Sequence, residues 1–204
     1  RPPRSTPKPS SAASDVYKRQ YEGGVRVPLI MQWSGRAGFA DSVRNELVTT
    51  LALMPPILSA ANAPLPGGLA GESLIPLLAG NAGGWRKYLF TEFHLHSAHN
   101  FYPQRTIRGE RFKLIQNLQP DTVNPGYGFT MNRVFAGLQG EVEKRDSIAP
   151  TYSQMPRPPE FELYDLKKDP YDFKNLLVTH RFATSLSCLK PSWLSGGRRL
   201  MILF

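Results

Sequence analysis

Three histidines and an arginine within twelve residues are the side chains of this sequence best suited to chemistry. His94, His96 and His99 are spaced as His-x-His-x-x-His, and Arg105 follows them. Histidines at such spacing can bind zinc, and His94 and His96 would share one face of a strand. Imidazoles can also hydrogen-bond sugar hydroxyls or sulfate, and a forked guanidinium can pair with an anionic group. A metal site, a sugar- or sulfate-binding site and ordinary structural or surface residues are therefore all open interpretations.

A Gly-Gly turn with charged residues on both sides lies near the beginning of the sequence. Glu22 precedes Gly23-Gly24, and Arg26 follows two positions later. Because adjacent glycines allow a sharp turn beside a pocket, Glu22 and Arg26 are candidates for ordering a pocket edge. The alternative is a local ion pair, worth less than about 1 kcal/mol if exposed. The apolar run that follows predicts a buried strand of a parallel sheet over Val25–Trp33.

The elements that must position these side chains change in type along the chain. Pro55-Pro56 is typical of the first turn of a helix, and Gly109-Glu110 is typical of a hairpin turn. The hairpin side chains Arg108, Arg111 and Lys113 are interpreted as a solvated face. We predict helices over residues 57–61, 74–78, 132–138 and 179–186, and strands over residues 87–93, 105–108, 111–115 and 161–165. This order indicates an α/β portion joined to an α+β subdomain with a small antiparallel sheet.

The net charge of +9 is concentrated in two ends of unusual composition. Residues 1–20 carry five basic side chains and one acidic, residues 184–204 three and none, and the 163 residues between them 17 and 15. We expect residues 1–20 to be a foreign or disordered head, because they resemble an accidentally translated sequencing adapter. We expect residues 184–204 to be a frame-slipped tail, because a reading displaced by two bases can give a more globular sequence.

The same distribution argues against several classes of partner. Because residues 21–183 are nearly balanced in charge, we predict no nucleic-acid partner. No apolar run approaches the length of a transmembrane helix, so we predict no membrane partner. The single cysteine, Cys188, excludes an internal disulfide framework.

Motifs across residues 21–183 resemble those of the sulfatase family, and they occur in the same order. They are Tyr21–Pro28, Leu51–Leu58, Gly71–Leu78 and Glu162–Leu166, the last followed by Asp169-Pro170 and Asn175-Leu176. Three more segments resemble the heparan sulfamidases, or N-sulfoglucosamine sulfohydrolases, and their bacterial relatives: Phe90–His94, Tyr102–Arg105 and Phe112–Leu118. The resemblance implies that residues 21–84 are the end of the sulfatase α/β domain and residues 85–183 its C-terminal α+β subdomain.

The resemblance also implies a reaction and a substrate class. Sulfatases hydrolyse sulfate esters or sulfamates with a formylglycine made from cysteine or serine and with a divalent cation, calcium, held by oxygen ligands. A sulfated, heparan-like saccharide is the implied partner, and a secreted, periplasmic or lysosomal location is implied. Since the C-terminal subdomain borders the sulfatase pocket, the resemblance favours sugar or sulfate binding by His94, His96, His99 and Arg105, with Glu22 and Arg26 at the pocket edge.

The sequence departs from the sulfatase pattern where catalysis would occur. It contains no Cys/Ser-x-Pro-Ser/Ala-Arg and no Asp-Asp pair, and the segment after Cys188 has its proline one place late and no arginine. Ala52 and Pro56 replace an aspartate and a threonine of the family, and Tyr17 replaces a basic residue whose role is not transferred to Lys18. We therefore predict no nucleophile and no metal ligand here, and no sulfate hydrolysis by the chain alone. The alternative is a non-catalytic polyanion-binding module that uses the basic ends and the hairpin Arg105–Lys113.

Overall fold

A computed structural model describes residues 20–33, 42–95, 101–125, 144 and 149–178. The described residues form two compact units. The sheet unit comprises residues 20–27 and those from residue 90 onward, and the helical unit comprises residues 28–89. In chain order the elements are α1 (Glu22–Val25), a 3-10 helix (Thr50–Leu53), α2 (Met54–Ala60), α3 (Ile75–Leu78), β1 (Leu89–Phe93), β2 (Gln104–Arg108), β3 (Phe112–Asn117), α4 (Ala149–Gln154) and β4 (Phe161–Asp165).

The helical unit is built around a small apolar core. The 3-10 helix runs directly into α2, which carries Pro55 and Pro56 in its first turn, where their missing amide donors cost nothing. The helices predicted over residues 57–61 and 74–78 are thus confirmed as α2 and α3, although α2 begins three residues earlier. The core consists of Ala52, Leu74 and Leu77, surrounded by Val48, Leu53, Leu78 and Trp85.

Gly71 has a packing reason to be glycine in this unit. A Cβ built on Gly71 would overlap the carbonyl group of Leu51 and crowd the amide nitrogen of Ala52. Only a residue without a side chain allows two backbone segments to approach so closely. The Trp85 indole closes the same region by donating its Nε1–H to the carbonyl of Leu47 at 2.9 Å.

The apolar run after the Gly-Gly turn does not form the predicted strand. Val25 ends helix α1, and residues 26–33 have neither helical nor strand structure. Val27 is 72% exposed and Ile30 is 92% exposed. A buried parallel strand needs hydrogen-bonding neighbours on its edges, and the four-stranded sheet does not include this run. The prediction of a buried parallel strand over Val25–Trp33 was therefore wrong.

The sheet unit contains the antiparallel hairpin and the closing strand that the sequence predicts. The strands lie in the order β1-β2-β3-β4. Strands β2 and β3 pair antiparallel with Thr106 opposite Ile115, and β3 and β4 pair antiparallel with Ile115 opposite Glu162. The mixed α/β composition and the small sheet are confirmed. The helices predicted over residues 132–138 and 179–186 lie outside the described residues, and α4 was not predicted.

One face of this sheet is buried and largely polar. Because side chains alternate along a strand and the register places Arg108 opposite Lys113 and Gln104 opposite Asn117, alternate residues of β2, β3 and β4 share a face. The apolar part of this face is small: Ile115 and Tyr164 pack with Tyr21, and Leu166 lies against them. The buried polar side chains of this face are Gln104, Thr106, Lys113, Asn117 and Glu162.

Candidate functional site

The segment that precedes α1 is attached to the polar face of the sheet by its side chains. The Gln20 Oε1 atom accepts hydrogen bonds from the Thr91 hydroxyl at 2.7 Å and the Thr106 hydroxyl at 2.9 Å. The Tyr21 hydroxyl donates to Glu162 Oε2 at 2.8 Å. Gln20 and Tyr21 are both buried. Two consecutive side chains thus fix the register of this segment across three strands.

Glu22 continues the attachment with a buried ion pair to two cations. Arg108 donates from Nε to Glu22 Oε1 at 3.0 Å and from Nη2 to Oε2 at 3.2 Å. The Lys113 ammonium donates to Oε1 at 3.2 Å. Burial alone would raise the pKa of Glu22, but the Arg108 hydrogen bonds and the Lys113 charge outweigh it and hold the pKa below its ordinary value. Glu22 is therefore a buried carboxylate that stays ionised.

Asp172 is the second carboxylate on Lys113. The Lys113 ammonium lies 2.9 Å from Asp172 Oδ2, and the Glu22 backbone amide donates to the same oxygen at 2.6 Å. Lys113 has no exposed side-chain surface. Burial raises the pKa of Asp172 in spite of the Lys113 charge. One ammonium therefore joins the Glu22 side chain to a carboxylate that also holds the Glu22 backbone.

Glu162 is the acceptor of three hydrogen bonds on this face of the sheet. Its carboxylate accepts hydrogen bonds from the hydroxyls of Tyr21 and Tyr164 and from Asn117 Nδ2 at 2.7 Å. The Oδ1 atom of Asn117 in turn accepts a hydrogen bond from Gln104 Nε2 at 2.6 Å. Burial raises the pKa of Glu162. We call the set Gln20, Tyr21, Glu22, Arg108, Lys113, Asn117, Glu162, Tyr164 and Asp172 the buried polar cluster.

A second, exposed cluster brings together two of the predicted site residues. Arg105 Nε donates to Glu92 Oε1 at 2.7 Å, and His94 Nε2 lies 3.3 Å from the same oxygen. The Arg105 side chain is 48% exposed and that of His94 43% exposed. Burial opposes ionisation of Glu92, but Arg105 and His94 outweigh it and lower its pKa. We call these three residues the rim cluster.

The loop between β1 and β2 carries the other predicted histidines. His96 and His99 lie outside the described residues, so their predicted role stays a prediction. The Tyr102 amide donates to the His94 carbonyl at 2.9 Å, which joins the two ends of this loop. Glu92 was not among the predicted site residues. It lies on β1, two residues before His94, which directly follows the strand. This two-residue spacing was the pattern that could have identified it.

The contacts of Glu22 correct two sequence interpretations. Its side-chain partners are Arg108 and Lys113, whereas Arg26 is exposed and meets Glu22 through a backbone hydrogen bond at 3.0 Å. The alternative of a local Glu22–Arg26 ion pair was therefore wrong. Lys113 and Arg108 are not a solvated hairpin face, because β2 and β3 turn them toward the face that residues 20–22 cover. Arg111 does lie at the surface, paired with Asp165 at 2.7 Å.

The described side chains do not fit a divalent cation. No group of three or more His, Cys, Asp or Glu side chains able to hold a metal occurs in the ranges that the structure describes. In the buried polar cluster the carboxylates of Glu22 and Asp172 converge on the Lys113 ammonium, so a protein cation already supplies their counter-charge. Across these ranges there is also no helix with the length and apolar character needed to cross a membrane.

The sequence of this chain is similar to one family model and to several known proteins. The family model described as N-sulphoglucosamine sulphohydrolase, C-terminal, matches residues 16–124. Human arylsulfatase A is 32% identical over 166 residues, which cover 77% of this chain and 27% of that protein. Human N-sulphoglucosamine sulphohydrolase is 27% identical over 188 residues, which cover 83% of this chain and 36% of that protein.

The solved structures that match include one described as a 2-O GAG sulfatase. It is 24% identical, has a TM-score of 0.47, and covers 76% of this chain and 26% of its own. The chain thus spans about a quarter to a third of the length of the curated relatives named above.

Proposed function

This chain belongs to the sulfatase family, with its match in the N-sulphoglucosamine sulphohydrolase C-terminal region, and from this we propose that it is the C-terminal part of a sulfatase. The proposed reaction is hydrolysis of sulfate esters or sulfamates of heparan-like sulfated sugars. The observation that carries the proposal is the family match over residues 16–124. The name of the human relative, N-sulphoglucosamine sulphohydrolase, supports N-sulfated glucosamine as the first substrate to test.

In this proposal the rim cluster contacts the sulfated sugar. Arg105 uses Nε for its hydrogen bond to Glu92, and the terminal amino groups of its guanidinium can reach an anionic sulfate as paired donors. Glu92 holds both Arg105 and His94, so it would orient them without contacting the sulfate itself, since two anions repel. His96 and His99 are proposed to complete this surface, and Glu22 and Arg26 to lie at the pocket edge.

The nucleophile and the metal are proposed to come from sequence outside this chain. Neither the formylglycine motif nor an Asp-Asp pair occurs in the 204 residues, and the described side chains do not fit a divalent cation. In the proposed whole enzyme, formylglycine would supply the hydrate that attacks sulfur, and calcium would supply positive charge to the sulfate oxygens. The contribution of this chain is then to bind and orient the sugar. A secreted, periplasmic or lysosomal location is proposed for the whole protein.

Contacts within the hairpin argue against the alternative function as a polyanion-binding module. Lys113 is buried between two carboxylates, Arg108 pairs with Glu22, and Arg111 pairs with Asp165. Lys113 and Arg108, two of the four hairpin cations, are thus largely enclosed within the chain, whereas Arg105 and Arg111 are each about half exposed. Electrostatic binding to polyanions needs cations that can replace condensed counterions, so this hairpin is a weak polyanion site.

The proposal is tested by restoring upstream sequence. The genomic DNA preceding residue 21 is sequenced, and its open reading frame is expressed in one chain with residues 21–183 and assayed for sulfate release from N-sulfated glucosamine. We expect an in-frame Cys/Ser-x-Pro-Ser/Ala-Arg and measurable release, with none from the 204-residue chain alone. An upstream frame without this motif, or a joined protein inactive on a panel of N- and O-sulfated saccharides, would overturn the proposal.

A further inference from the structure

We propose that Lys113 is a positioning residue: by joining Glu22 to Asp172, its ammonium fixes helix α1 and the chain that enters it on the sheet. The functional meaning of this role rests on the proposed function. By fixing Glu22, Lys113 would set the position of a residue that the proposed function places at the pocket edge.

Helix α1 cannot hold its own conformation. It has four residues, and its N-cap residue, Tyr21, makes no side-chain capping hydrogen bond. Helices of this length are unstable alone, because nucleation is costly. Gly23 and Gly24 make it still less favourable, since glycine loses the most backbone freedom when ordered. The conformation of residues 22–25 must therefore come from contacts outside the segment.

Lys113 is at the centre of those contacts. Its Nζ lies 3.2 Å from Glu22 Oε1 and 2.9 Å from Asp172 Oδ2. Asp172 Oδ2 also accepts the Glu22 amide at 2.6 Å, which is the first free amide of the helix. The ammonium thus holds the Glu22 side chain directly, and it contacts the carboxylate that holds the Glu22 backbone. Partners at positions 22, 113 and 172 come from three separate parts of the chain.

A lysine at this position is better explained by positioning than by stability. Removing an ammonium completely from water is costly, and a buried ion pair is often no more stable than apolar side chains of the same volume. Apolar side chains, however, lack direction, whereas an ammonium between two carboxylates specifies where each must lie. Arg108 also contacts Glu22, but it contacts the side chain alone and is partly exposed. Lys113 therefore adds a charged link between the Glu22 side chain and Asp172 to the hydrogen bond that the Glu22 amide makes directly to Asp172.

The test is amide hydrogen exchange, measured by NMR on the 204-residue chain and on the variant Lys113→Met, which keeps the length of the side chain and removes its charge. We expect exchange at the amides of Glu22, Gly24, Val25 and Arg26 to rise about tenfold or more, while β2 and β3 amides change by less than about threefold. Lys168→Met, at an exposed position, is the matched control and should change neither set. Unchanged exchange at residues 22–26 would overturn the proposal, as would an equal rise throughout the sheet.

A double variant separates positioning through Glu22 from an independent effect. If Lys113 acts through Glu22, then Lys113→Met combined with Glu22→Gln should raise exchange at residues 24–26 no further than the larger single effect. If the double variant instead raised the exchange rates by the product of the two single-variant increases, the proposal would be contradicted. If Lys113→Met does not fold, Asp172→Asn serves in its place. This variant keeps an oxygen acceptor for the Glu22 amide and removes one of the two negative charges that face the Lys113 ammonium. It should give a smaller rise confined to residues 22–26, and unchanged exchange there would again overturn the proposal.

These readouts require no catalysis. An absence of sulfate hydrolysis by the joined protein would overturn the proposed function and leave the exchange result in place. Conversely, a failure of the exchange prediction would remove the role of Lys113 and leave the sulfatase assignment untouched.

Discussion

The Tyr21 hydroxyl donates a hydrogen bond at 2.8 Å to Glu162, a residue 141 positions further along the chain. The two side chains join the segment before the Gly-Gly turn to the closing strand of the sheet. The Tyr21 ring and the Glu162 carboxylate are buried. The Tyr164 ring lies edge-on to that of Tyr21, with ring centroids 6.1 Å apart. This contact makes residues 20–22 part of the sheet unit, although the sequence places them far from every strand.

Tyr21→Phe should show how much this contact contributes. The variant keeps the ring and its packing on Tyr164 but leaves Glu162 with one donor fewer. We expect the free energy of unfolding to fall by about 1–2 kcal/mol, the usual effect of removing one partner from a buried acceptor. Urea denaturation measures it, with Tyr171→Phe at an exposed position as the control. Equal stabilities for Tyr21→Phe and the control would show that the hydrogen bond contributes nothing.

Glu162 should also affect how stability depends on pH. Burial raises its pKa above the ordinary value of 4.5, so as pH falls the folded state binds this proton before the unfolded state does. The wild type should therefore gain stability relative to Glu162→Gln as pH falls from neutral toward about 4.5. Denaturation of both proteins at several pH values measures this difference, in which the other titrating groups largely cancel. A difference that shrinks on acidification would contradict the raised pKa.

Gly71 offers a prediction for the helical unit. Gly71→Ala would place a Cβ on the backbone of Leu51, which cannot move as a flexible side chain would. We expect the free energy of unfolding to fall by about 2 kcal/mol or more, in the range of strained core substitutions. Gly67→Ala is the matched control, because a Cβ there meets nothing within 4 Å, and it should change stability by less than about 0.5 kcal/mol. Thermal unfolding of the three proteins measures both effects, and equal melting temperatures for the two variants would contradict the close approach.

Local patterns in the sequence were sufficient for much of the fold. The Gly109-Glu110 turn between β-forming segments predicted the β2–β3 hairpin, the run Phe161–Asp165 predicted β4, and Pro55-Pro56 predicted the start of α2. Each of these depends on residues within about ten positions of one another. The apolar run after Gly24 gave the wrong result, because an apolar run forms a buried strand only when other strands flank it. Nothing local distinguishes the two cases.

The buried polar cluster could not be predicted in the same way. Alternation along β3 places Lys113 and Ile115 on one face, but it does not say which face is covered. The cover comes from residues 20–22, and Glu22 lies 91 positions before Lys113. Lys113 therefore has the sequence surroundings of a solvated hairpin residue and the structural surroundings of a core residue. Glu92 differs, since its two-residue spacing from His94, the residue that follows β1, was visible in the sequence.

The rim cluster provides the most direct test of the account that this chain binds the sulfated sugar in a sulfatase. The measurement is kcat/KM for sulfate release from N-sulfated glucosamine by the joined protein, comparing Arg105→Gln with Arg111→Gln. Both arginines are partly exposed and paired with one carboxylate, so the two variants lose the same charge. The account predicts that Arg105→Gln lowers kcat/KM by about tenfold or more, the effect of losing a charged hydrogen bond to substrate, while Arg111→Gln stays within about twofold. Equal values of kcat/KM for the two variants would contradict it.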